Sequence, residues 1–290
     1  MKKQLSKIAK DTNIYLKKYI NEQYNSDLMP AMKYGLFPGG KKIRSKILID
    51  IGSLFSISYK TLITIGAAIE CIHAYSLIHD DLPCMDNDKL RRGKPSTHIK
   101  YGESTAVLAG NSLLTMAFEI LASKNLKLCE KIKIDLINKL SECSGHLGIA
   151  GGQYLDLDYE NKKISKTKII EMEKKKTGKL FSFCCAAPLI IKKRKTKEIE
   201  FFEKIGSQIG LLFQIADDLI DVQVSSKLAG KKTGKDRKKG KATLVSLLGY
   251  SNSIKYCDKV IENINHELNK YGSNTKKINS TLNYILKRNK

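Results

Sequence analysis

Four aspartates, Asp80, Asp81, Asp86 and Asp88, fall within nine positions in the stretch HDDLPCMDND. Carboxylates this close repel one another and need a counter-charge to stay ionised together. Solvent and salt, nearby Lys and Arg, or a divalent metal could supply it. A second acidic cluster, FQIADDLID at 213–221, partly repeats the first. On a helix, Asp217 and Asp221 lie one turn apart on one face, with Gln214 on the same face. In the first cluster the spacing is wider. Pro83 lets the chain bulge there, so that Asp86 can turn back toward Asp80. Hard oxygen ligands on two helices suit Mg²⁺, which keeps several waters and takes one or two carboxylates plus substrate phosphate oxygens.

Cations flank both clusters. Arg91, Arg92 and Lys94 follow the first; Lys231, Lys235 and Lys241 follow the second; Lys41, Lys42 and Arg44 follow a Gly39-Gly40 break. Carboxylates for a metal beside many cations make a site for polyphosphate.

The elements that must position these groups read as helices. Residues 61–81, TLITIGAAIECIHAYSLIHDD, are apolar nearly all round, which places that helix inside a bundle. Residues 203–222 form a second buried helix. Further helices are expected over 1–20, from about 41, over 104–122, 131–149 and 166–192, and within 243–290. GGQYLDLDYENKK at 151–163 reads as a helix running out into a polar loop, and GKKTGKDRKKGK at 230–241 as a Gly/Lys-rich loop. No stretch carries a strand-and-hairpin signature. The expected fold is all-α, a single large helical bundle with a central cavity, spanning residues 1–290 as one domain.

The formal charge of +23 makes phosphate-bearing partners the first thought. However, only six of the 52 basic residues are Arg, and Ile and Asn are abundant, a bias that an AT-rich genome produces. Nucleic-acid sites lean on Arg and interleaved aromatics, so no nucleic-acid partner is expected. Seven cysteines without regular spacing and without a CxxC pair argue against a disulfide framework or a zinc site. The N-terminus has no apolar signal core, and no run of 18 consecutive apolar residues occurs. A cytoplasmic chain with no stable membrane insertion is the expectation.

PGGKKIR at 38–44, HAYSLIHDDLPCMDNDKLRRGKP at 73–95, GGQYLDL at 151–157, KKTGKL at 175–180, FQIADDLIDV at 213–222 and GKKTGKDRKKGKAT at 230–243 follow one another in an order that resembles the trans-prenyl diphosphate synthases, in particular their bacterial short-chain, farnesyl-type branch. The resemblance spans about residues 30 to 250. It implies the all-α fold of the class I terpenoid synthases, with the two aspartate motifs facing each other across a helix-lined cavity. Asp80, Asp81, Asp86, Lys176, Thr177, Gln214 and Asp217 would be catalytic. Asp80, Asp86, Asp217 and Asp221 would hold three Mg²⁺, with Mn²⁺ as an alternative ion. Arg91, Lys176, Lys231 and Lys241 would stabilise the departing pyrophosphate of an allylic diphosphate, while Thr177 and Gln214 turn oxygen lone pairs to the allylic cation. Isopentenyl diphosphate would sit in a metal-free pocket of Lys41, Arg44, His73 and Arg92. Tyr75, with small Ser76 beside it, would set product length at C15. Gln153 and Asp156 would orient other groups.

The implied reaction joins isopentenyl diphosphate to dimethylallyl or geranyl diphosphate, giving (2E,6E)-farnesyl diphosphate and pyrophosphate, in a homodimer. Geranylgeranyl diphosphate synthesis is the alternative. A class I terpene cyclase is disfavoured by the second motif, Asp217-Asp218-Leu219-Ile220-Asp221, and a non-catalytic basic binder by the intact aspartates. The chain departs from the family at Lys42, where Arg is frequent; at Lys89 and Asn111, where an acid is frequent; at Asn87, where Asp is common; and at Leu244-Val245, in place of an aromatic and a proline.

Overall fold

In a computed structural model, described over residues 1–23, 25–227 and 243–287, the chain is almost wholly helical. It divides into two compact units. One comprises Met1–Gly52 and Ser56–Asn138, the other Ser53–Phe55 and Lys139–Lys290.

The first unit is built around α4 (Tyr59–Asp80). Ser58 caps its start by accepting a hydrogen bond from the Thr61 amide. Every residue from Leu62 to Ile72 is buried, as an apolar surface on all sides requires. The helices α1 (Lys2–Asn21), α2 (Met29–Leu36) and α6 (Glu103–Ala122) cover it. Each fully buried Leu or Ile contributes about 1.5–3 kcal/mol. At Gly110 α6 comes close against α4, since a Cβ there would collide with the His79 ring. The unit also contains α3 (Ile43–Leu54) and short α5 (Thr97–Tyr101), which packs on α2 and α6. A two-residue antiparallel ribbon, β1 (Leu90–Arg91) with β2 (Lys94–Pro95), pairs Arg91 with Lys94. Neither α2 nor this ribbon is anticipated from the sequence, since eight residues and two-residue strands are too short to show a period. The division between the units falls within α7 (Glu130–Ser144).

The second unit contains α8 (Ile149–Asp158), α9 (Lys166–Glu173), a π-helical turn (Lys174–Gly178), α10 (Lys179–Ile191) and α11 (Thr196–Lys227). Then come α12 (Leu244–Leu248), α13 (Tyr250–Leu268) and α14 (Lys276–Lys287). Here α10 and α11 form the closest helix pair, and α13 and α14 also pack on α11. The seven cysteines are free thiols.

Two helices, α4 and α6, are long and apolar enough by composition to cross a membrane, although neither holds 18 consecutive apolar residues. For α4 the explanation is protein packing, since 78% of its most apolar window is buried.

Candidate active site

The first aspartate motif begins on the last turn of α4. The helix stops at Asp80, and Pro83 cannot extend it. The chain then folds back on itself. The Asp86 amide donates to the Asp80 carbonyl at 2.8 Å, Asp88 to Asp81 at 3.1 Å, and Met85 and Asn87 both to Leu82. Asn87 takes a left-handed conformation, φ +49°, to close this turn. Asp86 is therefore carried back to Asp80, as the spacing predicts.

The neighbouring Asp81 has a different environment. It is buried, and the Arg91 guanidinium grips it, with Nε 3.1 Å from both carboxylate oxygens and Nη2 also donating to Oδ1. Burial raises the Asp81 carboxyl, against the opposing pull of Arg91. Burial lowers Arg91, but its hydrogen bond to Asp81 leaves it raised on balance. Asp80 and Asp86 remain half-buried. Among the described residues no three His, Cys, Asp or Glu groups gather as a closed metal cage. Two carboxylates on one turn are instead the donor set of Mg²⁺ that completes its shell with water and phosphate oxygens, so the residues present fit that ion.

A cationic cluster is assembled on α4, the 38–44 segment and the ribbon. Gly39 (φ +91°) and Gly40 (φ +126°) turn the chain, and a Cβ on Gly40 would stand 2.5 Å from Arg92 Nη1. Arg92 donates through that nitrogen to the Gly39 carbonyl. Arg44 Nη1 lies 3.3 Å from His73 Nε2. A guanidinium only donates, so Nε2 is the acceptor and the ring proton sits on Nδ1. Burial pushes the His73 imidazole well below its usual range, helped by Arg44, Lys42, Arg92 and Arg91. His73 is thus neutral. Lys41 is exposed beside these groups in the chain.

In the second unit, a π-helical turn projects Lys176 and Thr177. Such turns carry one extra residue and re-aim side chains, often at functional sites. Gly152 permits the close contact of α8 with this turn, since a Cβ there would collide with the Lys176 backbone. Lys176 Nζ is 2.6 Å from Asp156 Oδ2. Thr177 donates its hydroxyl to Gln214 Oε1 at 3.0 Å, and Gln214 Nε2 donates to Asp218 Oδ1 at 2.9 Å. This relay orients the Gln214 amide and leaves oxygen lone pairs on Thr177 and on Gln214. Asp217 and Asp221 are half-buried on α11, whereas Asp218 is buried.

The sequence reading missed Glu173, buried at the entry to the π turn. Burial, then Asp218, push its carboxyl well above the usual range. Its place three residues before Lys176 was the only signal. Buried Gln153 has no hydrogen-bond partner for its side-chain amide among the described residues. Lys231, Lys235 and Lys241 lie outside the described residues.

Tyr75 is buried one turn before the motif and meets the His79 ring edge-on, with centroids 5.7 Å apart. Burial, then Asp80, push its phenol up to about 12. Ser76 Oγ donates to the His73 carbonyl.

Comparison with known proteins gives the family. The polyprenyl synthetase family model matches residues 25–285. The farnesyl diphosphate synthase of Escherichia coli is 36% identical over 99% of this chain and 98% of its own. An FPP/GFPP synthase from Zymomonas mobilis superposes with a TM-score of 0.87 at 34% identity, covering 98% of both chains. A geranyltransferase from Helicobacter pylori, solved with magnesium and isoprenyl diphosphate, superposes with a TM-score of 0.79 at 32% identity, over 98% of this chain and 96% of its own. Matching at this identity over nearly the whole length, the chain belongs to the polyprenyl synthetase family.

Proposed function

We propose that the chain is a prenyltransferase that condenses isopentenyl diphosphate with dimethylallyl or geranyl diphosphate to give (2E,6E)-farnesyl diphosphate and pyrophosphate. The observation that carries this reading is the turn at 80–88. It sets Asp80 and Asp86 together and retires Asp81 onto Arg91, beside a cluster of cations around a neutral histidine. The relatives above support the same reaction.

In the proposed reaction, Asp80, Asp86, Asp217 and Asp221 hold three Mg²⁺, with Mn²⁺ as the alternative. When bound, the ions neutralise charge as the allylic pyrophosphate leaves. Lys176, Lys231, Lys241 and Arg91 add fixed positive charge at the same diphosphate. Arg91 does so while still gripping Asp81. Thr177 and Gln214, aligned by their mutual hydrogen bond, offer oxygen lone pairs to the allylic cation. Lys41, Arg44, His73 and Arg92 hold isopentenyl diphosphate without metal. Neutral His73 acts there as a hydrogen-bonding group for Arg44, not as a charge. The isopentenyl double bond attacks the cation, and the released pyrophosphate takes the proton. Positioning and electrostatics, more than side-chain acid–base chemistry, lower the barrier.

Both units work as one catalytic domain in this reading, in a cytoplasmic homodimer. Labelled isopentenyl diphosphate with each allylic starter and Mg²⁺, followed by reverse-phase chromatography of the dephosphorylated products, is the test. A C15 alcohol is expected. A C20 product would replace the farnesyl reading with the geranylgeranyl one, a cyclised hydrocarbon would indicate a terpene cyclase, and no elongation would refute prenyl transfer.

A further inference from the structure

We infer that Glu70 is a positioning residue for the isopentenyl diphosphate pocket, acting as a clamp that sets the 42–45 segment against α4. This rests on reading Lys41, Arg44, His73 and Arg92 as that pocket.

Both oxygens of Glu70 are used, each by a different residue of the segment. Lys42 Nζ is 3.0 Å from Oε2, and Ser45 Oγ donates to Oε1 at 3.0 Å. Arg44 lies between these two residues in the chain, and it meets His73 at 3.3 Å. Glu70 and His73 are three apart on α4 and so share a face. Three contacts in four residues therefore fix the register of the segment on one helix face, with Arg44 bracketed by the two that Glu70 makes.

The clamp is not an ordinary surface pair. The Lys42 and Glu70 side chains are only 6% and 4% exposed. Desolvating an ion pair removes most of its net contribution to stability, so the pair has little value as a staple. Its local geometry is also unfavourable. Lys42 holds φ at +50°, in the left-handed region that a residue with a Cβ rarely enters. The strained Lys42, anchored on the buried Glu70 carboxylate, stands in the chain between exposed Lys41 and half-buried Arg44. Ser45 also fits closely against α4, since a Cβ on Gly66 would lie 3.1 Å from its Oγ.

The test uses the full chain with Mg²⁺ and compares Glu70→Gln with the double variant Lys42→Met/Glu70→Met. The first keeps an acceptor for Ser45 but turns an amide toward Lys42. The second removes both charges, a replacement that buried pairs tolerate. In both, KM for isopentenyl diphosphate is expected to rise about tenfold while KM for geranyl diphosphate stays within about twofold, because a misplacement of even 1 Å can cost on the order of 10²-fold. A merely structural role would lower Tm in Glu70→Gln, restore it in the double variant, and leave the isopentenyl KM unchanged in both. That result overturns the inference. Arg44→Ala separates the two levels. If it raises the isopentenyl KM and the Glu70 variants do not, the pocket stands and the clamp falls. If it does not, pocket and clamp fall together.

Discussion

Removing the Asp81 carboxylate should act differently from removing its neighbour Asp80, and the difference can be worked from the structure. Asp81 is 3% exposed at its side chain and paired to Arg91, which is 31% exposed. Breaking a buried pair from one side typically destabilises by about 3–5 kcal/mol, because a charge is left buried without compensation. Water reaches part of the Arg91 guanidinium, so we expect about 2–3 kcal/mol for Asp81→Ala. At roughly 2–4 °C per kcal/mol for domains of this size, Tm should fall by about 5–10 °C. Half-buried Asp80 should lower Tm by no more than about 2 °C when changed to Ala, as surface changes usually stay within about 0.5 kcal/mol. Differential scanning calorimetry of Asp80→Ala, Asp81→Ala, Arg91→Ala and the Asp81/Arg91 double variant supplies both the shifts and a coupling energy. The cycle should show at least about 1 kcal/mol between Asp81 and Arg91. A Tm for Asp81→Ala within about 1 °C of the parent, or no coupling, would refute the assignment of Asp81 to the pair, since a buried charge cannot lose its partner without effect.

Asp80→Ala or Asp217→Ala should lower turnover by roughly 10²-fold or more with the fold intact, because in the proposed reaction each removes a metal ligand needed as charge leaves the allylic carbon; near-parent rates with Mg²⁺ would disprove this. His73 gives a pH dependence. Its folded pKa lies well below the free value of 6.5, so the unfolded chain binds a proton that the folded chain refuses. Stability should be full above that free value and fall as pH drops toward the folded one, and His73→Gln should flatten the fall in a Tm-against-pH series. If Tyr75 sets product length by standing in the path of the growing chain, Tyr75→Ala should shift product from C15 to C20 or longer, read by chromatography; an unchanged C15 product would remove Tyr75 from that role. Gly152→Ala should destabilise by about 1–3 kcal/mol, since its Cβ would lie 2.7 Å from the Lys175 carbonyl carbon and cannot be accommodated by side-chain movement alone. A parent-like Tm would show that α8 can retreat from the π turn.

Much of this protein was legible without coordinates, for a local reason. A run as apolar on all sides as 62–72, with Glu70 its one charge, reads as a core helix, and α4 is buried along that whole run. The spacing Asp80, Pro83, Asp86 also contains its own turn, because proline ends the helix and the next residues must find backbone acceptors nearby. The Asp86 amide finds the Asp80 carbonyl.

What only the tertiary structure decided is how neighbours in sequence divide their roles. Asp80 and Asp81 are indistinguishable as letters, yet the ribbon at 90–95 brings the Arg91 guanidinium onto the Asp81 carboxylate. That ribbon is two residues per strand, too short for any periodic signal. Glu70 is a single acid in apolar surroundings, and Glu173 is marked locally by no more than its place three residues before Lys176. Glu70 is explained by residues 25 and 28 positions earlier, Ser45 and Lys42. The Glu173 carboxyl is raised by burial and then by the charge of Asp218, on another helix. The π turn under Lys176 and Thr177 likewise packs against a distant element, with Gly152 of α8 against its backbone. Hydrophobic period is a property of adjacent residues, so sequence carries it. The partner of a buried charge comes from a distant segment, and only folding brings the two together.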